Sequence, residues 1–291
     1  MAPKRKRSPS IVFVRYVRTA PAPFNKPDDF NIRTVQDTQY HVSHAILSFA
    51  SLYFHDLPCN PPDARDPFVL NVLESDATLE ILLRFTYPVP DPVLCDLDDI
   101  TDAYVAAKKY QLNGAVDGLR RALVLPRFLD REPVRVYAIV RRFGLVQEAN
   151  LAADAACASS PADWPICEEF EHTGGMAYQD LVLYHRRRAA AAADVLKKPD
   201  LFNARHICTS YRTRSSAPYV SAIEPLLAHA PLREDIFTAS FLTGVGTKVT
   251  SYDTCTVVLV RATDPGGAIH RLKMQLRAVS LHAVEASVEG K

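Results

Sequence analysis

The fold is decided by the segment DTQYHVSHAILSFASLYFHDLP at residues 37–58, where the spacing of apolar residues changes from two to about 3.6. Residues 30–35 and 39–42 alternate between apolar and polar side chains on either side of a polar turn, which predicts a β-hairpin. The spacing then becomes helical, and one face of the predicted helix carries Ala45, Ile46 and Phe49. Ser51 favours a second short helix, whose apolar residues are Leu52, Tyr53, Phe54 and Leu57. A hairpin that leads into two short helices is therefore expected.

A strand and three helices are predicted to follow. Residues 68–72 are β-branched and apolar enough to lie within a sheet. Ser75 or Asp76 caps the next helix, because such side chains accept hydrogen bonds from free backbone N–H groups. The pair Asp98–Asp99 begins another helix, which Asn113–Gly114 ends before a further one. Ten apolar residues are expected to form one core: Ile32, Val42, Ile46, Leu47, Phe54, Leu70, Leu82, Leu83, Ala103 and Tyr104.

The rest of the chain is predicted to be mainly helical. Helical spacing recurs in three segments, at residues 136–143, 146–156 and 181–198. Beyond them the pattern predicts a short helix at 223–227, a β-like run at 254–260 and a closing helix at 272–283. The expected fold class is α+β, a small β-sheet flanked by α-helices and followed by a mostly helical C-terminal region.

The charge is distributed unevenly along the chain. Residues 1–24 carry a formal charge of +6, residues 25–125 carry −7, and residues 126–291 carry +2. The predicted regions are a basic, partly disordered arm at 1–24, a folded domain at 25–125, a helical extension at 126–198 and a mainly helical region at 199–291. An acidic domain repels phosphate, so residues 25–125 are not expected to bind nucleic acid.

The cysteines and the apolar runs of the sequence indicate the cellular compartment of the protein. The six cysteines form no CxxC pair, and the basic start of the chain lacks the apolar stretch of a signal peptide. No apolar run approaches the roughly 18 residues that a membrane span needs. An intracellular protein with free thiols, in the nucleus or the cytoplasm, is expected. The cations Lys4, Arg5, Lys6 and Arg7 are a candidate nuclear-import signal, and a solvated basic tail is the equal alternative.

The sequence contains no recognisable catalytic, cofactor or metal motif. His41 and His44 lie three residues apart but have no acid or cysteine nearby to complete a metal site. Gly244 to Lys248 resembles a phosphate loop only superficially, and a turn is expected there. Arg186 to Arg188 is expected to be a solvated helix face. Neither a cofactor nor a catalytic residue is therefore expected, and the alternative is an enzyme with an unrecognised site in residues 199–291.

A second candidate feature is a short apolar arm near the start of the chain. Residues 11–17 are β-branched and aromatic, which is typical of a strand. An unpaired apolar strand tends to add to a sheet edge, either in its own chain or in a second one. The candidate pairing residues are Ile11, Phe13, Arg15, Val17 and Arg18. The two arginines favour docking on the acidic region that follows.

Five segments together resemble a known family. They are the segment quoted above, LNVLESDATLEILLRFTYPVPDP at 70–92, AYVAAKKYQLNGAVDGLRRAL at 103–123, EPVRVYAIVRRFGLVQEANLAADAAC at 132–157 and EFEHTGGMAYQDLVLYHRRR at 169–188. The first three resemble the hairpin, strand and helices of the BTB/POZ fold. The last two resemble the BACK-like helical extension that follows this domain in a large set of fungal proteins. The resemblance spans roughly residues 28–190.

The resemblance implies protein–protein interaction rather than catalysis. Members of this family self-associate or dock on partners, and some serve cullin-type ubiquitin ligases or transcription regulators. Two departures bear on these roles. Pro21, Pro23 and Pro27 stand where many dimeric members place a swapped helix, and proline cannot continue a helix interior. Residues 57–62 lack the glutamate of the hydrophobic–x–Glu motif of cullin adaptors, which weakens cullin recruitment.

Overall fold

A computed structural model describes the greater part of the chain, namely residues 17–58, 68–173, 175–198, 217–249, 263, 265 and 267–279. The chain divides into two compact units, Met1–Ala122 and Leu123–Lys291. The first holds a small sheet and helices, and the described residues of the second are helical or irregular. The predicted fold class, α+β followed by a mostly helical region, is confirmed. The finer division into four regions stays a prediction.

The sheet has four short strands in the order β1-β3-β2-β4. Their bounds are β1 Arg18–Thr19, β2 Phe30–Arg33, β3 Thr38–Val42 and β4 Val69–Asn71. Strands β2 and β3 form the predicted antiparallel hairpin, with Phe30 opposite Val42 and Arg33 opposite Gln39. Asp37 in the turn has φ +59°, a left-handed conformation that aspartate tolerates better than most residues. Strand β4 pairs only with β2 in the described sheet and lies at its edge, not within it as predicted.

Five helices accompany the sheet. They are α1 His44–Ala50, α2 Leu52–His55, α3 Asp76–Thr86, α4 Leu97–Lys109 and α5 Asn113–Leu123. The Ser75 side chain accepts a hydrogen bond from the backbone N–H of Thr78, so Ser75 caps α3 as predicted. Helix α4 ends earlier than predicted, because Gln111 has φ +55° and Asn113 already begins α5.

The predicted core of the first unit is largely confirmed. Eight of its ten residues are buried, whereas Ile46 and Leu70 are half-buried. Aromatic side chains fill the space beside the hairpin, and the rings of Phe30 and Phe54 meet edge to face at 6.4 Å. The predicted inward face of α1 is wrong in two of its three residues, because Ala45 is exposed and Phe49 is 96% exposed. Leu47 and Ser51, four residues apart, turn inward instead.

The second unit contains seven further helices in the described residues. They are α6 Pro126–Leu129, α7 Pro133–Arg142, α8 Val146–Ala156, α9 Gly175–Leu196, α10 Ala217–His229, α11 Ala239–Val249 and α12 Ala268–Ala278. Short 3-10 turns occur at Pro161–Asp163, Glu168–His172 and Asp235–Phe237. Proline at the first position of α7 suits a helix start, since its missing N–H would have no intrahelical acceptor there. The predicted helix at 146–156 is observed with the same bounds as α8, whereas those at 136–143 and 181–198 correspond to α7 and α9, which begin earlier and end slightly earlier.

The C-terminal helices share one apolar cluster. Its buried members are Ala192, Val195, Tyr219, Ile223, Leu227, Ile236, Leu242, Val245, Ile269, Leu272 and Leu276. Burial of Leu242 and Val245 explains why Gly244 to Lys248 continues α11 and is not the predicted turn. The predicted helix at 223–227 lies within α10, and that at 272–283 corresponds to α12 up to Ala278, with residues 280–283 outside the described residues. The β-like run at 254–260 lies outside the described residues.

Candidate interaction surfaces

The most exposed apolar side chains of α1 and α2 flank a break between the two helices. Phe49 and Leu52 are 96% and 71% exposed, and Ser51 lies between them in extended backbone conformation. Ser51 holds this break in place, because its hydroxyl donates a 2.5 Å hydrogen bond to the carbonyl oxygen of Tyr110. Its Oγ also accepts a 3.4 Å bond from the backbone N–H of Phe54. Two large apolar side chains are thus displayed on an anchored turn.

A second exposed apolar pair lies beyond the ends of β2 and β4. Arg33 pairs with Asn71, and the backbone N–H of Val35 lies 3.4 Å from the carbonyl oxygen of Glu74. Val35 and Leu73 each lie two residues beyond this pair, and both side chains are exposed. The pair offers apolar surface close to the carboxylate of Glu74, which is itself engaged by Lys109.

The basic candidates lie mostly outside the described residues. Lys4 to Arg7 and residues 11–16, which include Ile11, Phe13 and Arg15, belong to this part of the chain. Val17 is exposed, and Arg18 lies in β1, which pairs in parallel with β3 of the same chain. Arg18 also donates a 3.1 Å hydrogen bond to the carbonyl oxygen of Gln36. The import signal and the pairing arm both stay predictions.

His44, one of the two histidines near the hairpin, makes structural contacts in the first unit. His44 Nε2 lies 3.1 Å from the carbonyl oxygen of Phe54 and 3.0 Å from that of Leu57. Both partners are acceptors, so Nε2 carries the hydrogen and ties α1 to the end of α2. In the described part of the chain, no group of three His, Cys, Asp or Glu residues is arranged to hold a metal ion.

The arginine run on α9 does not form one solvated face as predicted. Arg186 and Arg187 are exposed, but Arg188 is only 3% exposed. Its guanidinium makes a 3.0 Å ion pair with Asp154 and donates a hydrogen bond to the carbonyl oxygen of Val279. A buried cation needs such partners, because desolvation of an unpaired charge is costly. Three consecutive side chains on a helix point in different directions, so Arg188 can be buried while Arg186 and Arg187 are exposed.

The second unit contains a cavity of about 1060 Å³. Several of its polar residues are engaged with one another, as in the ion pairs Arg135–Glu169 and Arg188–Asp154. Cys167 also lines it, and burial together with the nearby carboxylate of Glu169 raises the pKa of this thiol. A nucleophilic cysteine needs the opposite shift, so these groups give no support to the enzyme alternative.

The length and apolar character of the described helices show whether any of them could span a membrane. None of the helices in this part of the chain combines the length and the apolar character that a bilayer-spanning segment requires.

Sequence reasoning missed the outward orientation of Phe49 and Leu52, which it had assigned to apolar helix faces. The only local sign was the brevity of α1 and α2, because such short helices can bury only one or two residues each.

Comparison with known proteins and protein families finds a match for one part of the chain. No curated protein matches the sequence. The predicted fungal origin and BACK-like extension therefore stay predictions. The family model described as BTB/POZ domain matches residues 28–125, the segment that contains β2–β4 and α1–α5. Residues 28–125 are accordingly identified as a BTB/POZ domain, a module of protein–protein interaction.

Proposed function

We propose that this protein is an adaptor or scaffold that binds protein partners through its BTB/POZ domain, with Phe49 and Leu52 at the centre of the docking surface. The observation that carries the proposal is the exposure of these two side chains on either side of Ser51. Burial of a Leu or Phe side chain is worth about 1.5–3 kcal/mol, so the pair is a strong candidate for the energetic centre of an interface.

The surface is preorganised for binding. Ser51 is buried and fixed by hydrogen bonds to the backbone of Tyr110 and Phe54, so the exposed pair does not lose much backbone freedom when a partner binds. The ring of Phe54 packs 5.5 Å from that of Tyr110 beneath the break. A partner therefore meets a surface whose backbone is already in place.

The partner is a protein, and a second copy of this chain is one candidate. A dimer that exchanges an N-terminal helix is disfavoured, since the described residues from 17 to 29 contain only β1 and turns. Recruitment to a transcription regulator is one specific role that members of the BTB/POZ family serve. A role in a cullin-type ubiquitin ligase is weaker, because residues 57–62 lack the expected glutamate.

The test compares two double-serine variants of the full chain. F49S/L52S removes the proposed surface, while V35S/L73S removes the other exposed apolar pair. Light scattering gives the mass of each, and quantitative affinity purification from cells gives the retained partners. We expect F49S/L52S to lose self-association or most partners at an unchanged melting temperature. Equal mass and equal partner recovery for F49S/L52S and wild type would show that the proposal is wrong.

A further inference from the structure

The cavity of the second unit lies outside the matched domain and presents a fully exposed apolar residue. Ile166 lies on its wall, together with the neighbouring Trp164. A large aliphatic side chain that is not buried within its own chain is a candidate contact for another molecule.

Ile166 is held in this exposed position from both sides. On one side the indole N–H of Trp164 donates to the carbonyl oxygen of Ala156 at 3.3 Å and to Ser159 Oγ at 3.1 Å. On the other side the Phe170 ring packs edge to face on Tyr178, with centroids 5.4 Å apart. Anchored side chains thus lie two residues before and four residues after Ile166.

Further contacts immobilise the same segment. Glu169 accepts a hydrogen bond from Arg135 Nε, which ties the segment to α7. The Trp164 ring meets Tyr178 and His185 of α9 edge to face, at 6.1 Å and 5.8 Å. The chain around Ile166 is therefore fixed to two helices, and a ligand would meet a preorganised surface.

The charge of the cavity indicates the chemistry of such a ligand. Its walls carry seven acidic and four basic side chains. Three of the four arginines are neutralised by lining carboxylates, in the pairs Arg135–Glu169, Arg188–Asp154 and Arg277–Glu234.

Two of the acidic side chains that line the cavity belong to residues close to Ile166 in sequence. Asp163 precedes Ile166 by three residues and Glu168 follows it by two, and both carboxylates are exposed. Neither has an ion-pair partner among the residues that the structure describes. An apolar contact between two uncompensated carboxylates is complementary to an apolar side chain flanked by cations.

We propose that this cavity binds a short basic segment of a partner protein, which places a large apolar side chain against Ile166 and lysine or arginine beside Asp163 and Glu168. This docking site is separate from the BTB/POZ surface and goes beyond the proposed function.

The proposal is tested with peptides as probes. Random dodecapeptides displayed on phage are selected against the immobilised full chain, and the enriched sequences are synthesised with a fluorescent label. We expect enrichment of lysine and arginine around one large apolar residue, and affinities that fall as salt rises. Fluorescence anisotropy then measures binding to wild type and to variants.

Two variants and a control identify the site. I166S and the double variant D163N/E168Q should each weaken binding about tenfold, and the charge variant should also flatten the salt dependence. M176S changes an exposed apolar residue outside the cavity and should leave affinity unchanged. The proposal is overturned if no peptide is enriched, if enriched peptides are acidic or uncharged, or if neither cavity variant weakens binding. F49S/L52S should retain peptide binding, which separates this result from the fate of the proposed function.

Discussion

The hydroxyl of Thr38 donates a 2.7 Å hydrogen bond to Oδ2 of Asp76, which joins the end of the hairpin turn to the first turn of α3. The other carboxylate oxygen of Asp76 accepts a hydrogen bond from Thr34 on the opposite side of the same turn. The backbone of Asp76 contributes as well, because its N–H donates to Gln36 at 2.8 Å and its carbonyl accepts from Tyr40 at 3.1 Å. One residue thus fixes the position of α3 relative to the hairpin.

Removal of this carboxylate should therefore destabilise the first unit. Asp76→Ala removes the acceptor of the Thr38 hydroxyl, leaves the Thr34 hydroxyl with only the Thr38 carbonyl oxygen at 3.4 Å, and removes a negative charge from the start of a helix. We therefore expect a loss of about 1–3 kcal/mol in the free energy of unfolding. Urea denaturation measures the loss. Asp91→Ala, at an exposed position after α3, is the matched control and should change stability little. Equal stabilities of the two variants would contradict the assigned role of Asp76.

A second prediction concerns the dependence of stability on pH. Burial alone would raise the pKa of Glu74, but hydrogen bonds from Lys109 at 2.7 Å and from the Tyr110 hydroxyl at 2.5 Å outweigh it and lower the pKa. A lowered pKa in the folded state stabilises the protein above the ordinary pKa of glutamate, and this contribution disappears as the pH falls through the folded value.

Glu74→Gln removes the titrating group. We expect the variant to be less stable than wild type at pH 7, by about 1 kcal/mol, and the difference to shrink as the pH falls below about 4. Urea denaturation at a series of pH values measures both. Glu80→Gln, which removes a carboxylate paired with Arg84 on the surface of α3, is the control and should give a smaller difference at pH 7. A difference for Glu74→Gln that is constant with pH would contradict the prediction.

The hairpin and the start of α3 could be predicted from the sequence because their signals are local. Alternation over residues 30–42 and a serine before an apolar run act within a few residues. The exposure of Phe49 could not be predicted this way, because it depends on the bond from Ser51 to Tyr110, which lies 59 residues further along the chain.

Contacts between residues that are distant in sequence also determine features of the second unit that could not be predicted. The burial of Arg188 depends on Asp154 and Val279, which are remote in sequence, so the run of three arginines looked uniformly solvated. The helical state of Gly244 likewise comes from the burial of Leu242 and Val245 against other helices. Tertiary contacts override a weak local preference in both cases.

The basic segment Lys4 to Arg7 gives a prediction about localisation. Replacement of its four cations by alanine should lower the nuclear-to-cytoplasmic ratio of a fluorescent fusion that is too large to diffuse into the nucleus. The control replaces the exposed pair Arg186 and Arg187, which removes positive charge elsewhere on the surface. If both variants distribute like wild type, the segment is a solvated tail and not an import signal.

The last prediction concerns residues 11–16 of the arm. They are separated by one residue, Val17, from β1, which already pairs with β3 in the same chain, so pairing within the chain is favoured by a high effective concentration. Deletion of residues 1–16 leaves β1 intact and also spares Phe24, whose buried ring packs 5.2 Å from that of Tyr87. We expect this truncated chain to melt at a lower temperature than full length, with unchanged mass by light scattering.

Deletion of residues 1–24 is a less specific test than deletion of residues 1–16. It also removes β1 and Phe24, and loss of a buried phenylalanine side chain costs about 3–5 kcal/mol, so a large effect here says nothing about residues 11–16. If the short deletion turns a dimer into a monomer, the arm pairs between chains, and the intramolecular prediction is wrong. If the short deletion changes neither mass nor melting temperature, the arm does not pair with a sheet at all, and only β1 and the residues after it hold the start of the domain.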